Sequence, residues 1–153
     1  MRKHSILTWT AAAMIVGAAG VAVGADMASV IQARQAHYKQ IGAASKGIFD
    51  ELNKASPSAT VIQGYAKTID GLAPQIPSWF PAGSGPDAGV KTHARPEIWS
   101  DAAGFAQVAQ AFATEAHHFD QVAAAGDVNA DRAEFTSLGK ACGACHSKYR
   151  AKD

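Results

Sequence analysis

This chain of 153 residues has few cysteines and a small net charge. Only two cysteines occur, which excludes a disulfide-rich scaffold and a metal site built from four cysteines. The 14 basic and 13 acidic residues give a formal net charge of +1, which excludes a strongly basic protein that binds nucleic acid. A chain of this length suits one hydrophobic core, so we expect one globular domain after any targeting segment.

The N-terminus has the pattern of a secretory signal. Basic residues open the chain, residues 6–23 carry no charge, and a stretch of small residues ends at Ala25. We predict that residues 1–25 form a signal peptide, cleaved near Ala25, and that residues 26–153 form the exported domain. A retained membrane anchor is the weaker alternative, because the stretch is rich in alanine and glycine. No later segment is expected to span a bilayer, so we predict a periplasmic protein without a membrane span.

Proline positions and apolar spacing predict four helices. Five of the six prolines lie within residues 74–96, which marks a long loop. Elsewhere apolar residues recur at helical spacing. The predicted helices cover residues 27–52, 58–72, 100–125 and 127–150. Ser100 is expected to cap the third helix, and Asp127 or Asn129 the fourth. Two short connections and one long loop indicate an all-α, antiparallel four-helix bundle.

A five-residue motif near the C-terminus, Cys-Gly-Ala-Cys-His, carries the candidate chemistry. Cys142 and Cys145 are three residues apart, so one helical turn lets both thiols reach the same flat object. Haem vinyl groups accept such thiols as thioethers, and the adjacent His146 can then bind the iron. We predict one covalent haem c, attached through Cys142 and Cys145, with His146 as the axial iron ligand.

Other interpretations of the cysteine pair are weaker. A thioredoxin-type pair usually follows a strand in a βαβ unit, and no strand is predicted here. A structural disulfide would leave His146 unexplained, and a zinc site needs a fourth ligand, for which His117 and His118 have no matching spacing. A thiol oxidoreductase that uses Cys142 and Cys145 without haem is a further functional alternative. No pair of catalytic residues is patterned around a cleft, so we predict no enzymatic activity.

With this motif in place, the chain resembles the cytochrome c prime family of exported four-helix haem proteins. The similarity lies in four stretches: residues 34–42, residues 95–102, the third helix from Phe105 onwards, and residues 142–150. The family's glycine-proline linker between the first two helices is not matched by residues 52–57.

The resemblance implies roles for three further residues. Arg34 would pair with a haem propionate, Tyr38 would pack over the distal face of the iron, and Arg150 would lie beside the proximal imidazole. It also implies a homodimer formed through the first two helices. Electrons would pass to and from a redox protein that the sequence does not identify.

The distal side of the iron separates two functions. With no second axial side chain, the iron would be five-coordinate and would bind nitric oxide or carbon monoxide as well as carry electrons. The alternative is a low-spin, six-coordinate electron carrier that uses His37 or Met27. Met27 is eleven residues before Tyr38, about 16 Å along a helix, and His37 points about 100° away from Tyr38. Three other histidines are expected at the surface: His93, His117 and His118.

Overall fold

The computed structural model describes the backbone of residues 19–152 and the side chains from residue 27 onwards. Most of the predicted signal peptide therefore lies outside the described residues. The helices are α1 (Ala19–Leu52), α2 (Ala59–Leu72), α3 (Glu97–Ser100), α4 (Ala102–Ala124) and α5 (Val128–Tyr149). Two 3₁₀ helices, Ala73–Trp79 and Pro86–Ala88, lie in the long loop. In this part of the chain, no helix is both long and apolar enough to cross a membrane.

The four long helices form the predicted bundle. α1 packs on α2, α2 packs on α4, and α4 packs on α5. Over the described residues, α1 and α5 are not packed closely against each other, so one seam of the bundle remains open. The all-α four-helix architecture is thus confirmed, with α3 as an additional single turn before α4.

Side chains cap the helices close to the predicted positions. Ser58 accepts a hydrogen bond at the start of α2, and Asp127 accepts two at the start of α5. The expected cap of the third long helix was wrong by one residue. Ser100 ends α3, and the Asp101 carboxylate accepts the backbone N–H of Gly104 at the start of α4. Asp101 therefore satisfies one of the amides that would otherwise lack a partner in the first turn.

Three large apolar side chains of α1 and α2 are exposed. Phe49 on α1 is 59% exposed. Helical spacing in the sequence predicts that Val61 and Tyr65 face inward together with Ile62 and Ile69, but Val61 and Tyr65 are 41% and 37% exposed. Ile62 and Ile69 form the buried stripe of α2 instead. The difference arises because α2 is apolar on two neighbouring faces, and helical spacing alone does not show which one meets the core.

The long loop returns to the end of α5. Arg95 N donates to Tyr149 O at 3.0 Å, and Ala151 N donates to His93 O at 2.8 Å. This short antiparallel pairing binds the backbone of residues 93–95 to residues 149–151, which lie three to five positions after the end of the Cys-Gly-Ala-Cys-His motif.

We expect two glycine substitutions to have opposite effects on stability. A Cβ on Gly104 would collide with the Asp101 carboxylate and the Tyr149 hydroxyl, whereas a Cβ on Gly139 meets nothing within 4 Å. Gly104→Ala should lower the free energy of unfolding by about 1–3 kcal/mol. Gly139→Ala should raise it by about 0.5–1 kcal/mol through helix propensity. Chemical denaturation of the haem-loaded protein measures both, and equal effects would contradict the packing at Gly104.

Candidate haem site

A cavity of about 850 Å³ occupies the open seam between α1 and α5. Its volume lies within the usual range for ligand and cofactor sites, roughly 300–1,000 Å³. The walls come from α1, the long loop, α4 and α5. All six residues singled out from the sequence line this one cavity: Arg34, Tyr38, Cys142, Cys145, His146 and Arg150.

α5 turns both thiols towards the cavity. Cys142 and Cys145 are half-buried free thiols, whereas Gly143 and Ala144 between them are exposed. Burial raises the pKa of both thiols. Reactive redox cysteines have a lowered pKa, so these surroundings argue against a thiol oxidoreductase.

His146 lies in the last turn of α5, and Arg150 is the first residue after the helix. The His146 imidazole borders the cavity, and loss of solvent on that side lowers its pKa, with the Arg150 charge adding to the effect. A neutral imidazole is the form that binds a metal ion. The structure thus places Arg150 close enough to act on His146, while its role beside a bound haem stays a prediction.

A hydrogen bond outside the predicted set holds the end of α5 against α4. The Tyr149 hydroxyl donates to Asp101 Oδ2 at 2.8 Å, and Lys148 Nζ donates to the same oxygen at 2.5 Å. The Tyr149 ring also packs edge-on against Phe105, with ring centroids 5.3 Å apart. No local pattern in the sequence pointed to this contact, because Asp101 and Tyr149 are 48 residues apart.

Tyr38 stands on the opposite wall, on α1. Its ring makes edge contacts with Trp79 at 5.4 Å and Phe80 at 6.3 Å between centroids. Burial raises the pKa of the Tyr38 phenol far above its ordinary value, and the nearby Cys145 thiol raises it further. The phenol therefore stays protonated, which disfavours it as an iron ligand.

Arg34 is a buried clamp on the long loop. Its guanidinium donates to Trp79 O at 3.3 Å, to Ser84 Oγ and Ser84 O at 3.0 Å each, and to Thr92 Oγ1 at 3.1 Å. It also lies over the Phe80 ring, 4.4 Å from the centroid. The guanidinium is thus engaged by the loop, and the expected pairing of Arg34 with a haem propionate stays a prediction.

The two alternative axial ligands lie outside the cavity lining. His37 stacks on Trp79 at 4.7 Å between ring centroids, with an angle of 19° between the ring planes. The Met27 sulfur lies beside Gly83 of the loop. His93 was expected at the surface but is half-buried and lines the cavity, because the loop folds back onto α5.

The lining suits a flat apolar group that carries negative charges. Ile41, Ile76, Phe105 and Phe112 provide apolar walls, while basic side chains from α1, α5 and the loop also border the cavity: Arg34, Lys39, Lys91 and Arg150. Within the described part of the chain, no aspartate or glutamate is among the lining residues. Two thiols and an imidazole on one helix face complete the donor set that covalent haem requires. The residues present therefore fit a haem with its two propionates.

A helical bundle with this donor set beside a cavity of this size defines the class of four-helix c-type haem proteins. The family model described as Cytochrome C' matches residues 29–150. The chain belongs to the cytochrome c prime family, whose members carry covalently bound haem c with its iron.

Individual relatives agree with this family. A cytochrome c' from Allochromatium vinosum is 30% identical over 154 aligned positions, which cover 98% of this chain and 99% of the relative. A cytochrome c' from Alcaligenes xylosoxydans xylosoxydans is 46% identical over 74 residues, 48% of this chain and 56% of that relative.

Solved structures agree as well. A cytochrome c' described as having a ligand-controlled dimer dissociation superposes with a TM-score of 0.76 at 29% identity, covering 82% of this chain and 97% of that one. A nitric oxide complex of a mutant cytochrome c prime from Alcaligenes xylosoxidans gives a TM-score of 0.72 at 31% identity, with coverage of 80% and 94%.

We expect the Arg34 clamp to contribute strongly to stability. Arg34→Met removes four hydrogen bonds and leaves buried loop oxygens unpaired, which should lower the free energy of unfolding by about 2–4 kcal/mol. Arg34→Lys should recover only part of the loss, since lysine lacks the planar fork. The neighbouring Gln35 makes one exposed hydrogen bond to Lys91 O, so Gln35→Ala is the matched control and should cost less than about 1 kcal/mol. Equal losses for Arg34→Met and Gln35→Ala in chemical denaturation would contradict the clamp.

Proposed function

We propose that this protein is a periplasmic c-type cytochrome that transfers electrons and binds small diatomic gases such as nitric oxide and carbon monoxide. The proposal rests on one observation: the six predicted site residues all line the same cavity. Cys142 and Cys145 would hold the haem through thioethers, and His146 would supply an imidazole to the iron. When bound, the haem would supply redox chemistry and a metal centre for a small gas.

The placement of the possible sixth ligands supports a five-coordinate iron. The His37 ring is held flat against Trp79, and Met27 packs beside Gly83, so neither side chain borders the cavity. Tyr38 does border it, but burial keeps its phenol protonated. Gas binding requires a free distal position, and neither His37 nor Met27 is placed to fill it.

The distal wall favours small, neutral ligands. Tyr38 is fixed between Trp79 and Phe80 by ring contacts, so it covers the space opposite the cysteines. An anion entering beside the Tyr38, Trp79 and Phe80 rings would lose hydration, whereas nitric oxide and carbon monoxide carry no charge. One solved relative, the mutant protein from Alcaligenes xylosoxidans, is a nitric oxide complex, which agrees with the binding of this gas.

The cavity mouth supports an electron-transfer role. Lys39 on α1 and Lys91 in the loop border the opening together with Arg150 at the end of α5. Positive charges at a haem edge attract a redox protein with an acidic surface and speed its encounter at low salt. The predicted signal peptide, residues 1–25, supports a periplasmic site for such an exchange.

The spectrum of the ferrous protein tests the proposal. The haem should remain attached during acid–acetone extraction, and the ferrous spectrum should be high-spin and should change on addition of nitric oxide. His37→Ala and Met27→Leu should leave that spectrum unchanged. Cys142→Ser with Cys145→Ser should release the haem on extraction, because no thioether can form.

Two results would contradict the proposal in different ways. Sharp, split low-spin bands that disappear in His37→Ala or Met27→Leu would support the six-coordinate electron carrier instead. A colourless wild-type protein, produced in cells able to attach haem to such motifs, would remove the haem function altogether.

We also propose a homodimer through the outer face of α1 and α2. Val61 and Tyr65, one turn apart on α2, form an exposed apolar surface there. A Cβ on Gly47 would overlap the Tyr65 ring, so this ring lies directly across α1 and joins the two helices into one surface. A second copy of the same chain fits it, because a two-fold axis would place apolar surface on apolar surface. The relative with a TM-score of 0.76 is described as a dimer that its ligand dissociates.

Charge placed on this surface should separate the two copies. Val61→Lys should convert the haem-loaded dimer to a monomer in sedimentation-velocity experiments, because a charge would be buried without a partner. Gln63→Lys adds the same charge at an exposed position on the other side of α2 and serves as the control. A wild-type monomer, or a dimer that survives in Val61→Lys, would exclude this interface.

A further inference from the structure

Three metal-binding side chains meet on the surface of α4 and α5. Glu115 and His118 lie on α4, Glu134 lies on α5, and one ligand atom from each residue lies within 4.8 Å of the other two. His118 Nδ1 is 3.0 Å from Glu134 Oε1. We propose that Glu115, His118 and Glu134 bind one divalent transition-metal ion, such as Zn²⁺, at a site separate from the haem.

The spacing of these residues suits a single ion. Glu115 and His118 are three residues apart, so they share one face of α4, and α5 brings Glu134 against that face. A zinc ion binds histidine nitrogen and carboxylate oxygen at about 2.0–2.2 Å, so its ligand atoms lie roughly 3–4 Å from one another. Small side-chain rotations are enough to reach this geometry from the observed positions. Water would supply the fourth ligand, since His118 is exposed.

One carboxylate oxygen of Glu134 is buried without a well-aligned hydrogen bond. The side chain is only 16% exposed, and its Oε1 is shielded from solvent and has no hydrogen bond of good geometry. This oxygen is nevertheless the atom that lies beside His118 Nδ1. A buried carboxylate oxygen without a hydrogen bond is costly, and coordination of a cation would relieve that cost.

The charges at the cluster also favour a dication. The carboxyl groups of Glu115 and Glu134 each bring one oxygen within 4.8 Å of the other. A divalent ion between them would balance two negative charges. Histidine with two carboxylates is a mixed nitrogen and oxygen donor set that suits zinc and its neighbours in the first transition row.

The site is separated from the haem cavity along α5. Glu134 precedes His146 by twelve residues, which corresponds to about 18 Å along the helix axis. None of the three residues lines the cavity. An ion here would cross-link α4 to α5 above the contact of Phe119 with Phe135, whose rings lie 5.9 Å apart. Metal binding can thus be measured on the haem-loaded protein, independently of its function.

Calorimetric titration of Zn²⁺ into the tag-free, haem-loaded protein tests this proposal. We expect about one equivalent per chain, and a thermal midpoint that rises with Zn²⁺ because the ion binds only the folded state. His118→Ala and Glu134→Gln should each weaken binding by at least about tenfold, since loss of even an outer partner of a metal ligand has that effect. Both variants should also lose the rise in midpoint.

His117→Ala is the matched control. His117 is equally exposed and adjacent in sequence, but its ring faces Asp70 at 3.4 Å and Gln121 at 3.1 Å instead of the cluster. This variant should bind Zn²⁺ like the wild type. His118 is exposed, so its substitution should leave the haem spectrum and helix content unchanged. The proposal is overturned if the wild type binds no Zn²⁺ saturably, if His118→Ala retains full affinity, or if His117→Ala loses as much as His118→Ala.

Discussion

The structure depends on the seam between α1 and α5 staying open at a defined width. A four-helix bundle normally closes each seam with interlocking side chains. Here the space between these two helices is a cavity of about 850 Å³ with largely apolar walls. Apolar walls without contents are unfavourable, so a covalently tethered porphyrin serves as part of the core as well as the reactive group.

Two polar anchors set the walls of that seam. On the α1 side, Arg34 binds the loop through Trp79, Ser84 and other oxygens, and so fixes the aromatic residues that face the cavity. On the α5 side, Asp101 receives the Tyr149 hydroxyl and thereby holds the end of the helix that carries His146. Both anchors use charge-assisted hydrogen bonds, which are directional and strong when shielded from water, whereas apolar contacts alone would allow the helices to slide.

The aromatic residues around the cavity connect stability with ligand choice. Tyr38 contacts Trp79 and Phe80, and Phe80 in turn packs against Phe105 with ring centroids 5.0 Å apart. The same stacking that holds His37 on Trp79 keeps this imidazole away from the cavity lining. The same ring contacts therefore form the distal wall and keep His37 from competing as an iron ligand. The proposed gas binding thus depends on ordinary core packing.

Local periodicity in the sequence was enough to predict the four helices and the face shared by Cys142, Cys145 and His146, because positions three and four apart must adjoin on a helix. Arg34 and Tyr38 are four residues apart and share a face of α1 for the same reason, whereas their roles came from the family resemblance. The partners of Arg34 in the loop, the Asp101–Tyr149 contact, the outward turn of Tyr65 and the meeting of His118 with Glu134 came only from the tertiary structure. Each depends on how a helix is rotated about its axis or on the path of a loop, and packing between distant segments sets both.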